Sequence, residues 1–273
     1  MSNIVNIVTF VEQAEITYTN VFLYSLIVNK KIDSKYNIYL LYKDTFDDDF
    51  TIFIKKQYNN IEFYKIKLED NLTKQNYKLY ISTIKELEQL NKVIICDNNL
   101  IIKKDLTYLF KISFKSNEIL GGVLDLYMTT LKRKYNPTNN RNYINISMLL
   151  VDLNKWRSLD INNKIVEYLN TNNINSQDKF IETNNIINQI LNKQIRLIDF
   201  KFNLPNIPEI QKIYHILQRD NRVNLNQFMK DVRDPVIILY INLPWSTTDY
   251  ILYKDIWSMY YTQYLYELNH NNK

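Results

Sequence analysis

Residues 93–99 read VIICDNN, four apolar residues followed by an acid and two amides. A short apolar run bounded by polar residues is the pattern of a strand buried on both faces. Working outward, strands and helices alternate. Ile4–Phe10, Ile38–Tyr42 and Ile61–Ile66 read as strands, and Tyr18–Val28, Phe50–Tyr58 and Tyr77–Leu90 as helices. Downstream, Ile119–Leu124, Ile144–Leu153, Ile195–Ile198 and Val236–Tyr240 read as strands, with helical segments over about 161–171 and 178–193. Strands alternating with helices of about 10–15 residues predict an α/β fold with a mainly parallel sheet flanked by helices. Residues 204–235, with three of the five prolines, read as the least regular part, and an aromatic segment, Trp257–Leu268, closes the chain.

Composition narrows the function classes. The chain has 273 residues and carries 34 Lys+Arg against 29 Asp+Glu, a net charge of +5. The 46% hydrophobic content is enough for a real core. One cysteine, Cys96, excludes a disulfide framework and a cysteine zinc site, and two histidines exclude a multi-histidine cage. The only glycines are Gly121 and Gly122, so there is no dinucleotide fingerprint, P-loop or kinase glycine loop. Basic residues are dispersed apart from Leu131-Lys132-Arg133-Lys134, read as a solvated loop, and no nucleic-acid partner is expected. No apolar run reaches membrane-spanning length, and no signal peptide is visible, so a cytoplasmic location is expected. Ala14 is the only alanine while Asn and Ile abound, as an A+T-rich coding sequence would produce. With so little glycine, turns must lean on Asn and Asp.

In open α/β sheets, ligands bind beyond the carboxyl ends of the strands, where Asp97 is expected to lie. A carboxylate and amides there suit a metal-bound diphosphate or a ribose. Cys96 reads as buried core, and His215, within YHIL, as a core or partly buried side chain.

Five segments in order resemble glycosyltransferase family 8, the glycogenin and lipopolysaccharide-galactosyltransferase group. They are IVTFVEQ (7–13) with YTNVFLYSLI (18–27); Tyr77-Lys78-Leu79 leading to VIICDNNLIIKKDLTYLF (93–110); YINISMLLVDLNKWR (143–157); TNNIIN (183–188) followed by Phe202-Asn203; and LYINLPW (239–245). The resemblance implies one GT-A-like domain over 1–273, with 204–273 as an irregular and helical C-terminal part. It implies hexose transfer from a UDP-sugar to a glycan or lipid-linked acceptor, with retention and with Mn or Mg. By the resemblance, Asp97 and Asn99 hold the metal or diphosphate, Glu12 meets the nucleoside, and Lys78 neutralises phosphate or orients Asp97. Asn145 and Asn184 contact the donor sugar, and Asp125 lies near the acceptor; Asn184 and Asp125 stand nearest the reaction.

The sequence departs from the family pattern. Asn99 replaces the second acid of Asp-x-Asp, and Leu239 replaces a metal-binding His. Thr183-Asn184-Asn185 replaces Asp-Gln-Asp, and Ile146-Ser147 replaces Ser-Gly. Two readings follow: a divergent transferase with a weakened metal site, or an inactive relative that binds nucleotide-sugar, glycan or a protein partner. The C-terminal aromatic segment is expected to pack on the sheet; if exposed, it would serve a homodimer or a peripheral membrane contact.

Overall fold

The structure, a computed structural model, describes residues 3–126, 128–129, 142–172, 180–207, 210–218, 223–244 and 251–271. The chain runs β1 (Asn3–Val11), α1 (Ile16–Val28), β2 (Ser34–Tyr42), α2 (Asp49–Gln57), β3 (Ile61–Lys67), β4 (Lys92–Cys96), β5 (Leu100–Ile102), α3 (Thr107–Phe110) and β6 (Leu120–Leu124). It continues through β7 (Ile144–Asp152), α4 (Leu153–Ser158), α5 (Ile161–Thr171), α6 (Phe180–Ile190), β8 (Ile195–Ile198), β9 (Leu204–Pro205), α7 (Ile210–Leu217), α8 (Leu225–Arg233), β10 (Ile237–Leu239) and α9 (Lys254–Asn271).

Seven strands form the central sheet in the order β3-β2-β1-β4-β7-β6-β8. β1, β2, β3 and β4 pair in parallel, as do β6 and β8, while β7 runs antiparallel to both β4 and β6. The period-2 alternation of strands divides the apolar residues between two cores. Val5, Ile7, Ile38, Leu40, Ile94, Cys96, Met148 and Leu150 face α1, α2 and α9. Val8, Phe10, Tyr39, Leu41, Val93, Ile95, Leu149 and Val151 face the 77–87 segment and α4, α5 and α6. Both faces are covered, which is why the strands read as apolar runs. A second sheet, β5-β10-β9, carries the late strand.

The two glycines sit where the sheet is tightest. A Cβ on Gly121 would lie 2.6 Å from Ile198 Cδ1, and one on Gly122 would stand 3.1 Å from Ile144 Cβ. Neither glycine has a positive φ, so close packing, not backbone conformation, requires them. Immediately beyond, the β6–β7 register breaks: Gly122 pairs with Leu149 but Val123 pairs with Asn145. Residues 146–148 are thereby released from β6 while Met148 stays paired with Cys96 on β4.

Three expectations need correction. Tyr77–Leu90 is not a helix but two 3-10 segments, Tyr77–Thr83 and Lys85–Leu87. Tyr80 is non-helical (φ −112°, ψ 17°) and Ile84 is extended, because the segment is shaped by burying Tyr77, Lys78, Leu79, Ile81 and Leu87 rather than by propensity. Residues 204–235 hold two helices, α7 and α8. His215 is exposed, since α7 buries its Ile213–Leu217 face. The C-terminal aromatic helix α9 packs mainly against α1, and its Trp257, Tyr260 and Tyr264 belong to the core on that face of the sheet. Tyr264 meets Tyr24 and Phe50 at ring-centroid distances of 6.2 and 5.6 Å, and Glu267 accepts hydrogen bonds from Tyr24 (2.8 Å) and Tyr58 (2.9 Å). The basic cluster at 131–134 lies outside the described residues.

Candidate active site at the carboxyl ends of the strands

The register break creates the site. With residues 146–148 out of the β6 ladder, the Ile146 carbonyl takes a side-chain partner, while Ser147 continues the pairing with the β4 side. Ile146 O accepts from Lys78 Nζ at 2.9 Å, and Ser147 O accepts from the Asp97 amide at 2.9 Å. Lys78 Nζ also donates to Asp97 Oδ1 at 2.6 Å. The lysine is 2% exposed and the aspartate 19%. A buried ammonium without such partners would be costly, so the ion pair and the freed carbonyl are what allow Lys78 inside.

A second group lies across the same break. Asn145 Nδ2 donates to Asp125 Oδ2 at 3.3 Å, and its Oδ1 accepts from Ser147 N (2.9 Å) and Asn203 Nδ2 (3.1 Å). Asn145 therefore shapes the turn as well as facing the acid. Asp125 is buried, and its other oxygen accepts from Met128 N at 2.8 Å. On α6, Asn184 Oδ1 accepts from Asn188 Nδ2 at 3.1 Å. Asn188, fully buried, accepts from Ile144 N at 2.7 Å and donates to Ile144 O at 2.9 Å, fixing α6 to the start of β7. Thr183 donates to Gln75 O (2.6 Å), and Asn185 accepts from the Tyr143 hydroxyl (2.6 Å). Burial, with Asp125 nearby, holds the Tyr143 phenol well above its ordinary range, so it stays a neutral donor.

At the mouth, Glu12 and Glu15 share Lys74, with Lys74 Nζ 3.0 Å from Glu12 Oε2. Asn98 Nδ2 donates to Glu15 Oε2 at 2.6 Å, which links this cluster to the 97–99 turn. Burial opposes the charge on Glu15, but the bonds from Asn98 and Lys74 outweigh it and hold the carboxyl below its ordinary range. Burial likewise opposes the Lys74 ammonium, yet the two glutamates raise its pKa.

Six of the seven residues singled out by sequence are thus joined at one end of the sheet. Lys78 meets Asp97, Asn145 meets Asp125, Glu12 is tied to the turn through Lys74, Glu15 and Asn98, and Asn184 is tied to β7 through Asn188. Asn99 is drawn elsewhere. Its Nδ2 donates to Tyr240 O at 3.1 Å, and the Tyr240 amide donates back to Asn99 O at 3.0 Å. Sequence reading did not single out Lys74, Glu15, Asn98, Asn188 or Asn203. Three of them stood in the quoted segments, Asn98 in VIICDNN, Asn188 as the last residue of TNNIIN and Asn203 in the Phe202-Asn203 pair, whereas Lys74 and Glu15 carried no signal. Pro244 is described and buried, whereas Trp245 of LYINLPW lies outside the described residues.

The residues present do not fit a resident divalent ion. Asp97 is already paired with an ammonium, Asn99 is a neutral amide bound to Tyr240, and Leu239 stands on β10. Among the described residues, no three of His, Cys, Asp and Glu converge. Asn99 Oδ1 has no hydrogen-bond partner, but it is one neutral oxygen and it is withdrawn from solvent.

The sequence profile of glycosyl transferase family 8 matches residues 6–247. No curated protein sequence matches. Among solved structures, the apo bifunctional glycosyltransferase WbbM is 14% identical with a TM-score of 0.75, over 98% of this chain and 51% of that one. A galactosyltransferase LgtC in complex with donor and acceptor sugar analogues is 16% identical with a TM-score of 0.69, over 94% of this chain and 95% of that one. The glycosyltransferase GlyE of Streptococcus pneumoniae TIGR4 is 18% identical with a TM-score of 0.70, over 98% of this chain and 63% of that one. The chain thus spans about half the length of WbbM. These likenesses show the fold, a GT-A-type α/β domain. No helix among the described residues is long and apolar enough to cross a membrane.

Proposed function

Because this chain belongs to glycosyltransferase family 8, we propose that it transfers a hexose from a UDP-sugar to a glycan or lipid-linked acceptor, with retention of anomeric configuration. The observation that supports this most is the Lys78–Asp97–Ile146 arrangement at the carboxyl end of β4 and the amino end of the antiparallel β7. It fixes an acid and a cation where open α/β sheets bind phosphate-bearing ligands. In this reading Lys78 positions Asp97 toward the diphosphate, and Glu12 meets the nucleoside. Asn145 and Asn184 contact the donor sugar, and Asp125 lies on the acceptor side. The bond from the anomeric carbon to the diphosphate breaks, one to the acceptor hydroxyl forms, and the hydroxyl proton leaves with the departing phosphate or to solvent.

One observation favours the inactive alternative. Thr183 and Asn185, which replace the two acids of Asp-Gln-Asp, both bond to the protein itself, and Asp125 has a protein donor on each oxygen. Release of UDP from UDP-glucose and UDP-galactose, measured with and without added glycans and compared with UDP binding by calorimetry, separates the two. Turnover above buffer supports the transferase. UDP binding without turnover under any condition supports an inactive nucleotide-binding relative, and neither binding nor turnover sinks the transferase and leaves only a relative that binds glycan or a protein partner.

A further inference from the structure

We infer that nucleotide-diphosphate binding at this site does not depend on a divalent cation. The inference rests on the nucleotide-sugar reading above and concerns how that ligand is held.

The charge at the strand end comes first. Asp97 is the one acid of the Asp97-Asn98-Asn99 turn, and Lys78 sits on it at 2.6 Å. The pair carries no net charge. A divalent ion placed against Asp97 would gain no net negative field and would approach an ammonium that cannot move away into solvent, being 2% exposed. An ion of this kind binds where carboxylates outnumber nearby cations, usually with one or two carboxylates and the substrate phosphates completing its shell.

The second argument is geometric. Asn99 and Tyr240 are joined by two hydrogen bonds, Nδ2 to O at 3.1 Å and N to O at 3.0 Å. The turn after β4 and the end of β10 are therefore closed protein to protein. No ion is needed to bridge them, and Leu239, the neighbouring side chain on β10, is buried and has no lone pair.

The third concerns what remains to meet a diphosphate. Lys74 is a 30% exposed cation of the same network, shared between Glu12 and Glu15 and linked through Glu15 to Asn98, so it meets a phosphate by exchanging one of those carboxylates. Its charge is covalently part of the chain. A chelator that strips metal leaves it in place.

The test is calorimetric titration of UDP into the full chain, once after EDTA treatment and once with excess Mn. The expected result is binding in EDTA, with Mn changing the dissociation constant by about threefold or less. Binding seen only with Mn, or tightened beyond that margin, overturns this inference and leaves the transferase reading standing. No binding of UDP in either buffer overturns the transferase reading and this inference with it.

Discussion

Asn188 is bonded to both backbone polar groups of Ile144, accepting from its N–H at 2.7 Å and donating to its carbonyl at 2.9 Å. One side-chain amide thus does for β7 what a neighbouring strand would do, because an amide presents the same donor and acceptor as a peptide group. Asn206 repeats the device after β10, accepting from Ile241 N (2.8 Å) and donating to Asn242 O (2.8 Å).

Asn188→Ala is therefore expected to leave two buried backbone groups without these partners. The loss should be about 2–4 kcal/mol of unfolding free energy. Urea denaturation followed by circular dichroism checks it. A loss no larger than that of an exposed substitution such as Asn172→Ala would show that Ile144 finds other partners.

Lys78→Met keeps the length and removes the charge. Asp97 would then be left largely buried with no cation, and we expect a loss of about 3–5 kcal/mol, as for other buried pairs broken on one side. Asp97→Asn in the same background should recover part of it. A double variant as unstable as Lys78→Met alone would mean that the lysine stem, not the charge, is what the fold requires.

The glycine pair should respond unequally to alanine. At Gly121 the new methyl meets the tip of Ile198, which can rotate. At Gly122 it meets Ile144, whose Cβ at 3.1 Å is fixed to the strand that Asn188 holds. Gly122→Ala should cost about 1–3 kcal/mol and Gly121→Ala less. Equal denaturation midpoints for the two variants would contradict this.

Glu15 should mark the acid limb of stability. Its pKa in the fold lies below the usual value of 4.5, because Asn98 and Lys74 outweigh burial. A lowered pKa gives stability that is fully present above the unfolded value and is lost as pH falls through the folded one. Denaturation midpoints at pH 7 and pH 3.5 should therefore fall less for Glu15→Gln than for the native chain. An equal fall in both would place the acid sensitivity elsewhere.

The sheet was readable because buried strands are written as uninterrupted apolar runs, as in VIIC and VIILY. The segment after β3 was not. Tyr77, Ile81, Ile84 and Leu87 carry helical spacing, yet the chain kinks at Tyr80 so that Lys78 can enter the interior beside Asp97. A long-range ion pair leaves no periodic trace. The same holds for Lys74, Glu15 and Asn98, which lie far apart in sequence and meet only after folding. The family-like segments brought Asp97, Lys78, Asn145 and Asp125 forward, but not what their neighbours do to them. That Asn99 is bound to Tyr240 depends on the β5–β10 pairing, which short-range pattern does not encode.

The break in register between Gly122 and Val123 has one more consequence. An uninterrupted β6–β7 ladder would place every carbonyl of residues 146–148 opposite a strand amide, and the lysine would have no seat. Regular pairing and a ligand-ready strand end are thus alternatives for the same few peptide groups. A three-residue insertion between Gly122 and Val123, long enough to pair with residues 146–148, would make a better sheet and a chain with nowhere to hold its cation.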